Sequence, residues 1–128
     1  MNRVLVIDQD RATRELLGLA CLGHDVGVAL AENLCEGVRL LLSVPVSLIV
    51  VDAAALRLSV REHVTLFERV APGVPVIVTV TPETALETRV ALELAGFRVL
   101  TKPVTVEELL EKGAALAKIG RASCRERV

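Results

Sequence analysis

Carboxylate side chains follow two apolar segments of this sequence, at the point where each segment ends. Asp8 and Asp10 come directly after "VLVI", Asp52 comes directly after "LIVV", and Lys102 follows the segment "RVLT". Carboxylates can hold Mg²⁺, an aspartate can attack phosphorus and form an acyl phosphate, and an ammonium group can contact a phosphoryl oxygen. These residue types therefore suit Mg²⁺-assisted phosphoryl transfer, provided that the fold brings them together.

Strand-like and helix-like segments alternate along the chain. Aliphatic runs predict strands at 3–7, 25–30, 47–51, 76–80 and 97–100. Helical patterns, with Asn33 as a cap, predict helices at 11–23, 33–42, 60–70 and 82–95, and a capping-box pattern predicts a last helix from Thr105. Five such units predict an α/β fold with a parallel, doubly wound sheet, and right-handed crossovers put helices on both faces.

The carboxyl ends of the predicted strands carry a set of polar residues. Ligands of open α/β sheets bind at this edge, near the point where the strand order reverses. One charge at a strand end is usually only solvated, but a convergent set at this edge tends to be functional. The set consists of Asp8, Asp10, Asp52, Thr79, Thr81 and Lys102.

Composition excludes several other classes of function. The chain has 128 residues, a net charge of −1 and only two aromatic residues, so it has neither the basic surface nor the stacking side chains of a nucleic-acid-binding domain. Its apolar runs are too short to span a membrane and no signal peptide is present, so we expect a cytoplasmic domain without membrane contact. Cys21 and Cys35 are expected to be reduced core thiols, and His24 and His63 to lie at the surface.

The last ten residues are treated separately. The segment "IGRASCRERV", residues 119–128, looks like the translation of a common sequencing adapter. We therefore expect one domain over residues 1–118 and a non-native tail over 119–128. Any output domain beyond residue 118 would then be missing from this chain.

Four segments resemble the receiver domain of bacterial two-component response regulators. They are "VLVIDQD", "LIVVDAAAL", "PVIVTVT" and "VLTKPVTVEELL", and the resemblance extends from Arg3 to about Lys118. It implies the flavodoxin-like strand order 2-1-3-4-5. It also implies that Asp52 is the phosphoacceptor, that Lys102 contacts the phosphoryl group, that Asp8 helps to hold Mg²⁺, and that the Lys102–Pro103 bond is cis.

The resemblance also implies partners. A histidine kinase or phosphotransfer protein would donate the phosphoryl group to Asp52, and the domain would control an output. Beyond Mg²⁺-dependent self-phosphorylation and autodephosphorylation, no enzyme activity is expected. A homodimer would form through the fourth helix, the fifth strand and the fifth helix.

Several positions depart from the receiver pattern. Gln9 replaces the second of two adjacent acids, so we expect it to ligate Mg²⁺ only weakly beside Asp8 and Asp52. Val80 stands where receivers have a switch hydroxyl, and Val99 where they have an aromatic residue. Thr79 is expected to face away from the site, which leaves Thr81 as the candidate hydroxyl contact for the phosphoryl group. The segment "DAAAL" also lacks the usual Pro-Gly turn.

Two alternatives follow from these departures. The first is a pseudo-receiver, a protein-interaction module on the same fold that works without phosphorylation. The second is a small nucleotide- or flavin-binding enzyme, which is disfavoured because "DQDRATRE" after the first strand contains no glycine-rich phosphate loop.

Overall fold

A five-stranded parallel sheet in the order β2-β1-β3-β4-β5 forms the centre of the molecule. The computed structural model describes residues 3–113. The strands are β1 (Arg3–Ile7), β2 (Gly27–Ala31), β3 (Leu48–Asp52), β4 (Val76–Val80) and β5 (Arg98–Thr101). The helices are α1 (Arg11–Gly23), α2 (Leu34–Ser43), α3 (Val60–Val70), α4 (Leu86–Leu94) and α5 (residues 106–113), with a single 3-10 turn at Ala53–Ala55. The predicted α/β fold, its strand order and its helices on both faces are confirmed.

Helices cover both faces of the sheet, and the side chains along each strand alternate between the two faces. On one face, Val6 and Val50 pack with Leu17 of α1 and Leu109 of α5. We call this the α1/α5 face. On the opposite face, residues such as Val80 pack against α2, α3 and α4. A residue's position in this alternation therefore decides which group of helices its side chain meets.

Side-chain caps fix the beginnings of three helices. Asn33 caps α2, as predicted, by accepting from the Glu36 backbone N–H at 2.9 Å. Ser59 and Glu62 form a reciprocal capping box at α3 that the sequence analysis did not identify. At α5 the Thr105 hydroxyl accepts from the Glu108 N–H at 3.2 Å, but the Glu108 carboxylate meets the Thr105 hydroxyl rather than its backbone. The predicted capping box is therefore only half formed.

Two predicted element boundaries were wrong by two residues or more, while the others agree to within one residue. β2 begins at Gly27, not at residue 25, because Asp25 adopts a positive φ of 59° in the turn after α1. α4 begins at Leu86, not at Pro82. The segment before it forms a turn in which the Thr84 N–H donates to the Thr81 carbonyl at 3.1 Å, and threonine side chains in such turns compete with helix formation.

Burial corrects two expectations about reactive side chains. His63 is only 1% exposed, and its Nδ1 lies 2.8 Å from the Ser59 carbonyl oxygen, so it belongs to the start of α3 and not to the surface. Cys21 is buried as expected, and burial raises the pKa of its thiol. Cys35 is exposed on α2, so the expectation that it is a core thiol was wrong. Within residues 3–113, no helix is long and apolar enough to cross a membrane. The predicted tail at 119–128 lies outside the described residues.

Gly37 allows α2 to lie close to β1. A Cβ atom at this position would stand 2.5 Å from Ile7 Cδ1 and 2.9 Å from Ile7 Cγ1, and Ile7 is fully buried. The close approach of helix and strand therefore depends on the missing side chain.

We predict that Gly37→Ala lowers the free energy of unfolding by about 1 kcal/mol, because overpacking of roughly 1–3 kcal/mol exceeds the gain of about 1 kcal/mol in helix propensity. Urea denaturation measures the change. Gly23→Ala is the matched control, since its Cβ would meet nothing within 4 Å. Ile7→Val removes the clashing methyl group, so the double variant should lose less stability than the sum of the two single variants. Simple additivity would contradict this explanation.

Candidate functional site

Lys102 lies between two carboxylates at the carboxyl edge of the sheet. Its Nζ donates to Asp8 Oδ2 at 3.0 Å and lies 3.2 Å from Asp52 Oδ1. The Asp8 and Asp52 side chains are only 5% and 12% exposed, whereas Lys102 is 25% exposed. Burial by itself lowers the pKa of Lys102, but the hydrogen bonds to Asp8 and Asp52 and the attraction of their charges together outweigh it and raise that pKa. One ammonium group thus forms ion pairs with two nearly buried carboxylates.

The alternation of side chains explains this convergence. Asp8 lies two residues beyond Val6, Asp52 two residues beyond Val50, and Lys102 two residues beyond Leu100. All three apolar residues face α1 and α5. Because residues two apart along a strand project to the same side, the three charged residues share the α1/α5 face at neighbouring strand ends.

The loop after β1 is held by hydrogen bonds within the loop and from Arg14 of α1. The Asp10 N–H donates to Asp8 Oδ1 at 2.9 Å. Arg14 Nη1 donates to the Asp8 carbonyl at 2.7 Å and to the Gln9 carbonyl at 3.1 Å. Arg14 is a site-supporting residue that the sequence analysis missed. The sequence gives little indication of this role, since an arginine in the first turns of a helix usually faces solvent.

Gln9 and Asp10 contribute little to the charged cluster. Both residues are exposed, and neither lines the cavity around Asp8 and Asp52. The Asp10 carboxylate accepts from the Thr13 hydroxyl at 2.6 Å, and this hydrogen bond lowers its pKa. Asp10 is therefore occupied at the beginning of α1 and does not replace the missing second acid.

Two carboxylates are available for a divalent cation. Asp8 and Asp52 already share one positive charge, the Lys102 ammonium, so their spacing and charge are compatible with Mg²⁺ held by two carboxylates with water or phosphate oxygens. Among the residues that the structure describes, no group of three or more His, Cys, Asp or Glu side chains could hold a metal ion. Any such ion would be bound with fewer protein charges than a three-acid site provides.

The threonines around the end of β4 are arranged differently from the prediction. Thr79 is 3% exposed and lines the same cavity as Asp52, so the expectation that it faces away was wrong. The reason is the register: Thr79 pairs with Asp52 across the parallel ladder, which puts both side chains on one face. Val80 is buried on the opposite face. Thr81 is exposed, does not line the cavity, and has its hydroxyl 3.3 Å from that of Thr84.

Backbone contacts fix the position of Lys102. Its N–H donates to the Val80 carbonyl at 2.8 Å, and the following bond to Pro103 is cis, as the resemblance implied. The lysine therefore projects from a segment that is tied to the end of β4.

Arg89 of α4 connects the loop after β4 to β5. Its Nη1 donates to the Thr101 hydroxyl at 2.8 Å and its Nη2 to the Thr81 carbonyl at 2.8 Å. A longer contact of 3.4 Å joins its Nε to the Thr84 carbonyl. Val99, at the position of the usual aromatic residue, is half-buried and packs against the core of the opposite face. A guanidinium group, and not a hydroxyl–aromatic pair, thus connects these elements here.

A cavity of about 340 Å³ opens at the charged cluster. Its polar lining residues are Asp8, Thr13, Asp52, Thr79 and Lys102. The remaining wall is largely apolar and comes from β1, β3, α1 and the segment after Lys102.

Comparisons with known proteins give relatives by sequence and by fold. No protein-family model matches the chain. Transcriptional regulatory protein GlrR of Escherichia coli is 32% identical over 111 residues, which are 84% of this chain and 24% of GlrR. Response regulator MprA of Mycolicibacterium vanbaalenii is 29% identical over 116 residues, 91% of this chain and 50% of MprA. The chain therefore spans between a quarter and a half of these curated relatives.

Solved structures share the fold. A CheY-like response regulator receiver domain from Methanospirillum hungatei superposes with a TM-score of 0.79 at 22% identity, over 96% of this chain and 98% of that one. The beryllofluoride-activated NtrC4 receiver domain dimer gives 0.78 at 22% identity, over 94% and 99%. A Burkholderia pseudomallei response regulator with a phosphorylated aspartic acid and a calcium ion gives 0.75 at 23% identity, over 100% and 74%. The chain therefore has the fold of response regulator receiver domains, and it is similar in sequence to parts of a transcriptional regulatory protein and of a response regulator.

Proposed function

We propose that this chain is the receiver domain of a two-component response regulator and that it accepts a phosphoryl group on Asp52 from a histidine kinase or phosphotransfer protein. The contact of one ammonium group with two nearly buried carboxylates, at 3.0 and 3.2 Å, is the observation that carries the proposal. It gathers a nucleophile, a second acid and a cation in one cavity at the sheet edge where ligands of this fold bind.

The chemistry follows from these groups. An Asp52 carboxylate oxygen forms the new O–P bond while the bond between phosphorus and the donor's leaving atom breaks, and the leaving atom keeps the electron pair. Lys102 is close enough to exchange one of its carboxylate contacts for a phosphoryl oxygen. Thr79, which lines the cavity beside Asp52, is a better placed candidate hydroxyl for the phosphoryl group than Thr81, which does not line it. Mg²⁺ held by Asp8 and Asp52 would neutralise charge on the transferred group, with Gln9 as a weak neutral ligand at most.

A second candidate function is phosphorylation-independent binding of a protein partner. The position of the usual switch hydroxyl is the buried Val80, 1% exposed on the face away from Asp52. Arg89 already holds the loop after β4 against β5 without any phosphoryl group. These contacts favour a domain whose α4 and β5 surface keeps one arrangement.

Self-association is the partner proposal that the surface supports. Leu86, Val90 and Leu94 lie four residues apart on α4 and are 74%, 45% and 83% exposed. Residues at this spacing form one helical face, and β5 beside α4 is an edge strand of the sheet. We propose that this face, with α5, forms a homodimer; the NtrC4 receiver domain, which shares the fold, is itself a dimer.

We predict that the full chain gains one phosphoryl adduct when it is incubated with acetyl phosphate and Mg²⁺. Asp52→Asn should gain none, because an amide cannot form the acyl phosphate. Intact-mass spectrometry measures the adduct, and circular dichroism checks that both proteins are folded. An unmodified wild-type protein at high Mg²⁺ would reject the phosphoacceptor function and favour the second candidate.

We predict that Gln9→Asp binds Mg²⁺ about fivefold more tightly than Gln9→Asn. The two variants differ only in charge, and one more charge near a cation contributes about 1 kcal/mol at an exposed position. Isothermal titration calorimetry gives the two dissociation constants. Equal affinities would mean that residue 9 does not face the ion.

We predict that Leu94→Glu shifts the full chain toward the monomer, because a charge is placed on the apolar face of α4. Leu42→Glu on α2 is the matched control, since Leu42 is also 71% exposed but lies on a different helix. Sedimentation velocity over a range of concentrations measures the shift. An equal effect of both substitutions, or a monomeric wild-type protein, would contradict the proposed dimer face.

A further inference from the structure

Lys102 projects into the site from the end of an edge strand. β5 has β4 as its neighbour in the sheet, and the last paired residues of the two strands are Thr101 and Val80. The Lys102 N–H donates to the Val80 carbonyl at 2.8 Å, and the next residue is Pro103, which has no N–H to continue the pairing. The lysine therefore projects from the point at which the pairing of β4 and β5 ends.

Arg89 of α4 contacts both sides of this hydrogen bond. Its Nη2 donates to the carbonyl of Thr81, the residue after Val80, at 2.8 Å. Its Nη1 donates to the hydroxyl of Thr101, the residue before Lys102, at 2.8 Å. Because both donors belong to one planar group with fixed directions, the guanidinium sets the separation of the two strand ends.

The Lys102 ammonium group must be held in place to contact both carboxylates. Its Nζ lies 3.0 Å from Asp8 Oδ2 and 3.2 Å from Asp52 Oδ1. Because the lysine stem is flexible, its geometry is set at its two ends, by the carboxylates and by the backbone of Lys102. A displacement of about 1 Å can slow a reaction about 100-fold, so the position of this strand end matters for chemistry at Asp52.

We infer that Arg89 is a positioning residue for Lys102: by holding the ends of β4 and β5 together, it keeps the ammonium group at the two carboxylates. Among the residues that the structure describes, those that line the cavity do not include Arg89, so it acts through the backbone and not on the transferred group. The effect on the position of Lys102 is a property of the free domain, whereas the effect on phosphoryl transfer rests on the proposed function of Asp52.

Four variants of the full chain separate this role from charge and volume. Arg89→Lys keeps the charge, but one ammonium group cannot repeat the two fixed donors of the guanidinium. Arg61→Lys, at an exposed position of α3, is its matched control. Thr101→Val removes the accepting hydroxyl at nearly constant volume, and Thr101→Ser keeps that hydroxyl.

Hydrogen exchange of the Lys102 amide, followed by NMR, tests the inference without phosphorylation. Exchange should be about tenfold faster in Arg89→Lys and in Thr101→Val, because each loses a hydrogen bond from a charged donor beside that amide. Thr101→Ser and Arg61→Lys should exchange at the wild-type rate. The Ile49 amide, which donates to the Pro75 carbonyl at 3.0 Å in the centre of the sheet, should not change in any variant.

Acetyl phosphate with Mg²⁺ gives a second readout. In Arg89→Lys the maximal rate of adduct formation should fall about tenfold, because Lys102 no longer stays at Asp52. The affinity for Mg²⁺ should not fall, because both carboxylates are intact and have lost part of the contact with their competing cation. A general loss of structure would lower the rate and the affinity together. Thr101→Ser should retain the wild-type rate.

Three results would overturn the inference. Unchanged exchange of the Lys102 amide in Arg89→Lys would mean that the guanidinium does not hold the strand end. Equal acceleration at the Ile49 amide would mean that the substitution lowers global stability. Faster exchange at Lys102 with an unchanged rate of adduct formation would mean that the ammonium group does not depend on the strand end. If the wild-type protein gains no adduct, the phosphoacceptor function fails, and hydrogen exchange alone decides whether Arg89 positions Lys102.

Discussion

The alternation of side chains in a sheet buried on both faces is the constraint on which this domain depends. Each strand must supply apolar residues to two layers of helices, and a shift of one residue along a strand would move every side chain to the opposite layer. The same alternation continues past the last apolar residue of a strand. Asp8 and Asp52 are therefore directed to the α1/α5 side by the valines two residues before them.

Burial makes the Lys102 contacts important for the charge balance of the site. Two carboxylates that are 5% and 12% exposed would repel each other strongly without a cation between them. Lys102 supplies that cation from the end of β5, and its own backbone is tied to β4 through Val80. Arg14 of α1 donates hydrogen bonds to carbonyl groups of the loop that carries Asp8, and these bonds hold the loop in place. Because Gln9 is neutral, the site has one negative charge fewer than it would have with two adjacent acids.

The surface beside the site is organised by a different set of groups. In place of a hydroxyl and an aromatic residue, the loop after β4 and the end of β5 are connected by Arg89. Three hydrogen-bond contacts from one guanidinium group hold both segments against α4. A planar group with several donors in fixed directions is well suited to such bridging. The exposed apolar face of α4, with Leu86 and Leu94, lies on the same helix.

The sequence alone was sufficient for the architecture and for the principal charged residues. Aliphatic runs that end in Asp8 and Asp52 indicate buried parallel strands with chemistry at their carboxyl ends, because this pattern depends only on local composition and strand periodicity. The capping role of Asn33 could be predicted in the same way, since capping involves residues within one helical turn. Such features are encoded over a few neighbouring residues.

Tertiary structure decided what depends on the register between strands and on long side chains. Thr79 joins the cavity because it pairs with Asp52 across the ladder, and an alignment counted along β4 alone cannot give that pairing. The burial of His63 and the bridging role of Arg89 likewise depend on contacts between segments that are distant in sequence. The late start of α4 depends on a turn that competes with helix formation. The cavity itself forms only where α1, the sheet and the segment after Lys102 meet, and no single segment encodes its shape.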